Sequence, residues 1–266
     1  MHGTAIGVRY DDLAGRRALV TGASSGIGLG IAQAFLEQGM RVALHYRVNR
    51  AAAEALVARF PGRAVAVQAD LGTEEGCAHA VRRSAEALGG LDQLVHSAGI
   101  WTPGPIASVS RADIEGIFRV NVFSALYLVR DALPYLREDP ARRGNVILIG
   151  STAGQRGEAG HAHYAGTKGA IQSIVMSLAV ELAPRVRVNL ISPGWVRTPM
   201  TEEDLRVLEH DLAACLPNRR VGEVADCAHA ALYLASEASA HLIGQDLCVS
   251  GGALHVVPRG QFRPRE

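Results

Sequence analysis

Short, uninterrupted apolar runs alternate along the chain with longer stretches whose apolar positions recur every three to four residues. Arg17–Thr21, Arg41–Tyr46, Ala64–Gln68, Leu94–His96, Val146–Ile149, Val186–Ile191 and Asp246–Val249 are of the first kind and predict seven buried strands. The second kind predicts helices over Ile27–Gln38, Arg50–Phe60, Thr73–Leu88, Ala112–Leu136, Tyr164–Leu182 and Val224–Ala235. Pro61-Gly62 and Gly89-Gly90 are the stops of two of them. Strand–helix alternation, with strands apolar on both faces, predicts an α/β protein built on a doubly wound parallel sheet with helices on both sides. No repeat or linker divides the pattern, so residues 15–254 are expected to form one domain. A lid is expected at about 195–217, with a helix from about Glu202 to Glu209. Residues 1–14 and 255–266 are expected as tails, flexible or docked.

Composition narrows the class. The charges nearly cancel, 27 basic against 26 acidic residues, so there is no electrostatic reason to expect nucleic acid or an anionic membrane as partner. No stretch approaches the ~18 apolar residues of a membrane span, and Met1–Leu13 does not read as a secretory leader. Cys77, Cys215, Cys227 and Cys248 are widely separated, which suits a reducing compartment and a cytoplasmic location. Cys215, in the lid, is expected as a small apolar filler.

The first strand runs into Thr21-Gly-Ala-Ser-Ser-Gly-Ile-Gly28 and then a helix. In that setting Gly22 permits a tight turn, Gly26 lets the backbone approach a pyrophosphate, and Gly28 lets helix and strand pack closely. Helix-start amides favour an anion there. Alone, such a turn is often an ordinary loop; the strand–turn–helix context points to a dinucleotide. The second strand ends in His45-Tyr46-Arg47. An acid at its end would hold a ribose 2′-hydroxyl. Tyr46 stands there instead, followed by Arg47, and an arginine can pair with a 2′-phosphate. NADP(H) is therefore expected over NAD(H), with Arg50 able to share the role. The plain alternative is a solvated arginine.

Tyr164 and Lys168 lie four apart at a helix start and can be neighbours. A nearby ammonium should lower the tyrosine pKa and make it a proton exchanger for an alcohol or carbonyl oxygen. Ser151 follows the fifth strand at the carboxyl end, where open α/β sheets place ligands. Asn121 interrupts a helical pattern with an amide, a poor helix interior residue. Each alone reads as structural: a helix pair, a strand-end turn, a helix surface. His161 and His163 have no clustered cysteine or carboxylate, so no metal is expected.

Taken together these features resemble the short-chain dehydrogenase/reductase family, from about Gly15 to Gly252, with motif wording nearest its 3-oxoacyl-carrier-protein reductase-like members. The resemblance implies a single-domain Rossmann-type fold. It also implies cofactor contacts at Gly22, Ser24, Ser25, Gly26, Ile27, Gly28, Tyr46 and Arg47, and at Asp70 and Leu71 after the third strand. Further contacts are implied at Ser97, Ala98 and Gly99, in the place of the family's N-N-A-G, and at Pro193, Gly194, Val196 and Thr198 beside the nicotinamide. Tyr164 would exchange the proton, and Lys168 would lower its pKa and bind the nicotinamide ribose. Ser151 would orient the substrate oxygen, and Asn121 would support a proton path. His96 and Ser97 replace the two asparagines, which is expected to loosen that loop or to alter cofactor affinity. A homotetramer or homodimer is implied, through the two long helices. Trp101, Ser151, His161 and Trp195 are expected to touch a small carbonyl or alcohol substrate. The leading expectation is an NADP(H)-dependent reductase of ketones or 3-oxoacyl groups. An NAD-dependent alcohol or sugar dehydrogenase is the second, and a non-catalytic dinucleotide-binding protein the third.

Overall fold

A computed structural model describes residues 8–136 and 143–254; the expected tail 255–266 and residues 1–7 lie outside the described residues. The strands are β1 (Arg17–Thr21), β2 (Arg41–Tyr46), β3 (Ala64–Gln68), β4 (Gln93–His96), β5 (Gly144–Ile149), β6 (Val186–Pro193) and β7 (Asp246–Val249). They form one parallel sheet in the order β3-β2-β1-β4-β5-β6-β7. The order reverses between β1 and β4, which places the ligand crevice at the carboxyl ends of those two strands.

The helices are α1 (Gly26–Glu37), α2 (Arg50–Arg59), α3 (Glu74–Leu88), α4 (Arg111–Phe118), α5 (Ser124–Leu136), α6 (Thr152–Arg156), α7 (Ala162–Leu182), α8 (Glu202–Cys215) and α9 (Val224–Ala235). Strand parity sorts the core into two layers. Val20, Val42, Leu44 and Ile147 pack with Ile31 and Phe35 of α1 and Leu232 of α9. Leu19, Ala43, Val146, Leu148 and Leu190 pack with Val81 of α3, Leu128 of α5 and Val175 of α7. Caps follow local chemistry: Thr73 accepts from the Gly76 amide, Asn49 from Ala52, and Gly89 ends α3 in the left-handed region.

Three elements depart from the sequence-based expectation. The predicted helix 112–136 is two α-helices joined by a π-helical turn, Arg119–Phe123, centred on Asn121. One inserted residue leaves the apolar period almost intact, and such turns recur at functional sites. The lid helix runs on to Cys215, six residues past the expected end, and Cys215 is exposed rather than filling a core. A short α6 follows Ser151, which caps it by accepting from the Ala153 amide. The expected tail 1–14 is docked from Val8 onward. Gln38 accepts from the Tyr10 amide and donates to the Val8 carbonyl, and Leu13 is fully buried.

Candidate active site

The phosphate loop is built as its glycines require. Gly22 has φ +65°, in the left-handed region. A Cβ on Gly28 would lie 2.4 Å from the Gly22 carbonyl oxygen, so any larger residue would push α1 off the turn. Ser25 occupies the N-cap position of α1 without a side-chain bond to the helix amides. The first turn of α1 therefore keeps donors for an anion. Gly26, Ile27 and Gly28 line a cleft together with Ser97, Ala98 and Gly99, Ser151, Tyr164 and Lys168, and Pro193, Gly194, Val196 and Thr198. A Cβ on Gly26 would stand 3.3 Å from Thr198 and narrow the passage between the two loops. This cradle and its uncapped amides fit a dinucleotide.

The cleft continues into a second hollow lined by Ser24, His45, Arg47, Val48, Asp70 and Leu71, sharing Gly22, Ser25, Ala98 and Gly99 with the first. Tyr46 is not part of it. The parity that buries Val42 and Leu44 carries Tyr46 into the same core layer, 6% exposed, so its expected cofactor contact is corrected. His45 takes that position on the cleft side. It accepts the Gly22 amide at Nδ1 (3.2 Å) and lies 3.2 Å from the Ala69 carbonyl at Nε2. Burial pushes the imidazole down to about 4, against smaller raising effects of the Ala69 carbonyl and Asp70. Arg47 is exposed and its guanidinium has no partner among the described residues. Arg50 pairs with Glu54 at 2.6 Å on the exposed surface.

At the other end, the start of α7 brings Tyr164 and Lys168 beside Ser151. Lys168 is 8% exposed, and its Nζ donates to the Ile149 carbonyl at 2.8 Å. Burial pushes it down to about 8. Tyr164 is pushed up to about 12 by burial, with a hydrogen bond to Ser151 lowering it and the charge of Glu158 raising it. The expectation that Lys168 lowers the Tyr164 pKa is therefore not met in this arrangement. The ammonium sits 5.8 Å from the ring centroid and faces a strand carbonyl, and desolvation dominates. Asn121 lies behind the cleft. It accepts the Ile100 amide (2.8 Å) and donates to the Ile100 carbonyl (2.9 Å) and Thr167 Oγ1 (3.2 Å).

The expected loosening at His96 and Ser97 is likewise not what the fold shows. His96 bonds Thr21 and Ser124, and Thr21 Oγ1 accepts the amides of both Ser97 and Ala98. A third hollow, lined by Trp101, Ser151, Arg156, Glu158, Tyr164, Trp195 and Met200, opens beside the tyrosine. His161 reaches it through Trp101, with the two rings stacked at 4.6 Å, and Trp195 meets Trp101 edge-on at 6.1 Å. Gln155 of α6 bonds Asp246 and does not line this hollow. His45 is a site residue the sequence did not single out. Arg197 braces the lid by pairing with Glu209 of α8 and with Glu223 at the start of α9.

A family model described as enoyl-(acyl carrier protein) reductase matches residues 22–254. Glucose 1-dehydrogenase of Gluconobacter oxydans is 35% identical over 248 residues, covering 91% of this chain and 93% of that protein. A 3-oxoacyl-[acyl-carrier-protein] reductase of Chlamydia pneumoniae is 32% identical, covering 90% of this chain and 97% of that one. The crystal structure of a short-chain dehydrogenase/reductase, glucose/ribitol dehydrogenase, from Brucella melitensis superposes with a TM-score of 0.87. It is 33% identical and covers 94% of this chain and 100% of its own.

Proposed function

Because the chain belongs to the short-chain dehydrogenase/reductase family of NAD(P)-dependent oxidoreductases acting on CH–OH groups, we propose that it is an NADP(H)-dependent reductase of ketones or 3-oxoacyl compounds. The observation that carries this reading is the cleft itself, with the Tyr164 phenol hydrogen-bonded to Ser151 at one end and, at the other, an exposed Arg47 whose guanidinium has no partner among the described residues. The bound nicotinamide supplies or takes the hydride. Gly22 to Gly28 hold its pyrophosphate, Asp70 and Leu71 its adenosine, and Arg47 its 2′-phosphate through paired N–H donors. Ser151 orients the substrate oxygen, and Tyr164 Oη gives that oxygen its proton in reduction. A phenol with a pKa near 12 is fully protonated at neutral pH, the state a donor needs. Lys168, which lines the cleft, would bind the nicotinamide ribose, and Asn121 fixes Ile100 at the cleft wall.

Titration with NADPH and NADH in one buffer tests the cofactor. Tighter NADPH binding, weakened about tenfold by Arg47→Ala with NADH unaffected, is the expected result. Equal or tighter NADH binding sinks the Arg47 argument. It would favour the NAD-dependent alcohol or sugar dehydrogenase reading, which the glucose 1-dehydrogenase relative keeps in view. Trp101, Trp195 and His161 wall the substrate mouth in either case. Assembly as a dimer or tetramer is part of the proposal, supported by exposed Phe123, Leu126, Met176 and Val180 on the long helices. Cytoplasmic residence is supported by four free thiols, two of them buried and pushed up to about 12. Among the described residues no helix is long and apolar enough to cross a membrane.

A further inference from the structure

His96 ends β4 enclosed on all sides, 3% exposed, between two hydroxyls that are themselves inaccessible. Its Nδ1 lies 2.9 Å from Thr21 Oγ1 and its Nε2 3.0 Å from Ser124 Oγ. The direction of each bond follows from the partners' other commitments. Thr21 Oγ1 already accepts the Ser97 and Ala98 amides, both at 3.1 Å, so its own hydrogen goes to Nδ1. Ser124 Oγ donates to the Val120 carbonyl, which can only accept, so the second bond must come from Nε2–H. One neutral tautomer satisfies the whole chain of contacts.

The two nitrogens lead to different parts of the site. Through Thr21, Nδ1 backs the Ser97–Ala98 strip that lines the cleft opposite the phosphate loop. Through Ser124 and Val120, Nε2 holds the π-helical turn that carries Asn121. Asn121 clamps Ile100 and donates to Thr167, and Thr167 donates to the Tyr164 carbonyl at 2.7 Å. We propose that His96, with Nδ1 accepting and Nε2 donating, is a positioning residue that separately fixes the nucleotide strip and the Asn121 turn. The inference rests on the nucleotide-binding reading above. Burial, with repulsion from Lys168 and His45, pushes the imidazole down to about 3, so both bonds persist across the working pH range.

The two halves can be cut one at a time. An asparagine amide oxygen falls near the place of Nδ1, and a glutamine amide nitrogen near that of Nε2. His96→Asn should keep NADPH affinity within about twofold of wild type while hydrogen exchange across 119–124 and at Ile100 rises about tenfold. Ser124→Ala, which leaves the imidazole in place, should reproduce that pattern and add nothing to His96→Asn in the double variant. His96→Gln should do the opposite, weakening NADPH about tenfold with 119–124 still protected. Parallel losses of both properties in all three variants, or no change in either, would overturn the assignment. Wild-type protein that binds neither NADPH nor NADH would instead sink the nucleotide reading, so the two failures are distinguishable.

Discussion

Lys168 and Arg187 are cations enclosed by the same sheet at opposite ends of its strands, 8% and 2% exposed. Arg187 reaches the carbonyls of Leu234, Ser236 and Ser239 at the end of α9 and beyond it, where the helix dipole is negative. Beside it Arg17 pairs with Asp92, and Asn145 bonds Gln93 and the Leu234 carbonyl. Among the described residues Lys168 has a single acceptor, the Ile149 carbonyl, and burial pushes it down to about 8. Its neighbourhood holds a phenol pushed up and two imidazoles pushed down. Both ends carry the cost of burying charge. The amino end answers most of it with carbonyls and a carboxylate, with only Arg187 Nε and Asn145 Oδ1 lacking partners there among the described residues. The carboxyl end leaves it partly unanswered, and so keeps groups whose protonation can change. A guanidinium suits the first task because it stays charged, and an ammonium suits the second because burial shifts it.

The largest expected effect separates the two ends by activity. Tyr164→Phe should lower kcat about 10²- to 10⁴-fold with NADPH affinity and melting temperature nearly unchanged, measured by steady-state kinetics, titration and calorimetry. Turnover that survives the change would remove Tyr164 from the proton step. The converse is Arg187→Leu, which strips donors from three buried carbonyls. It should cost about 3 kcal/mol, lowering Tm by about 10 °C, while kcat of the folded fraction stays within about twofold. A loss of kcat without loss of stability would break the comparison.

Acid should separate the ends more gently. His45 and His96 have folded pKa values of about 4 and 3, below the ordinary 6.5, so the unfolded chain takes up their protons first. Their contribution is complete above pH 6.5 and is lost progressively as pH falls from there toward 4. Asp92 loses its contribution in the same direction but lower on the scale, below its ordinary value of 3.8. Burial raises its pKa, but the Arg17 hydrogen bonds outweigh burial and hold the carboxyl below its usual range. Hydrogen-exchange protection, taken relative to the intrinsic rate at each pH from 7 to 5, should therefore fall at 21–24 and 96–101 before it falls at 16–19 and 92–93. Simultaneous loosening would mean that the histidines do not set the acid limit of the carboxyl end.

Much of this was readable from the chain. β1, β2, β3, β7 and α9 fall on the predicted residues, because continuous apolar runs and well-placed stops leave few alternatives. Ser151, Tyr164 and Lys168 were placed at one mouth by strand-end position and helix spacing, and the fold brings them together there. What escaped was either too local or too distant for periodicity. α6 is five residues long, and the π-helical turn alters a 25-residue pattern by one residue. Only Leu205 of α8 is buried, so that helix has almost no apolar stripe to mark its length. Tyr46 was misplaced although strand parity alone would have put it in the core with Val42 and Leu44. The pKa of Tyr164 depends on enclosure and on Glu158, neither of which sequence spacing reports.

The crossing from β1 to β4 carries one more consequence, for the order in which the molecule comes into being. Thr21 lies 75 to 77 residues from His96, Ser97 and Ala98, the three groups it bonds. The loop-closure entropy of that long detour is met before any of those bonds forms. A chain emerging from synthesis presents its glycine turn well before it possesses the strip that backs it. The nucleotide cradle is thus a late product of folding, completed when the second half of the sheet docks on the first.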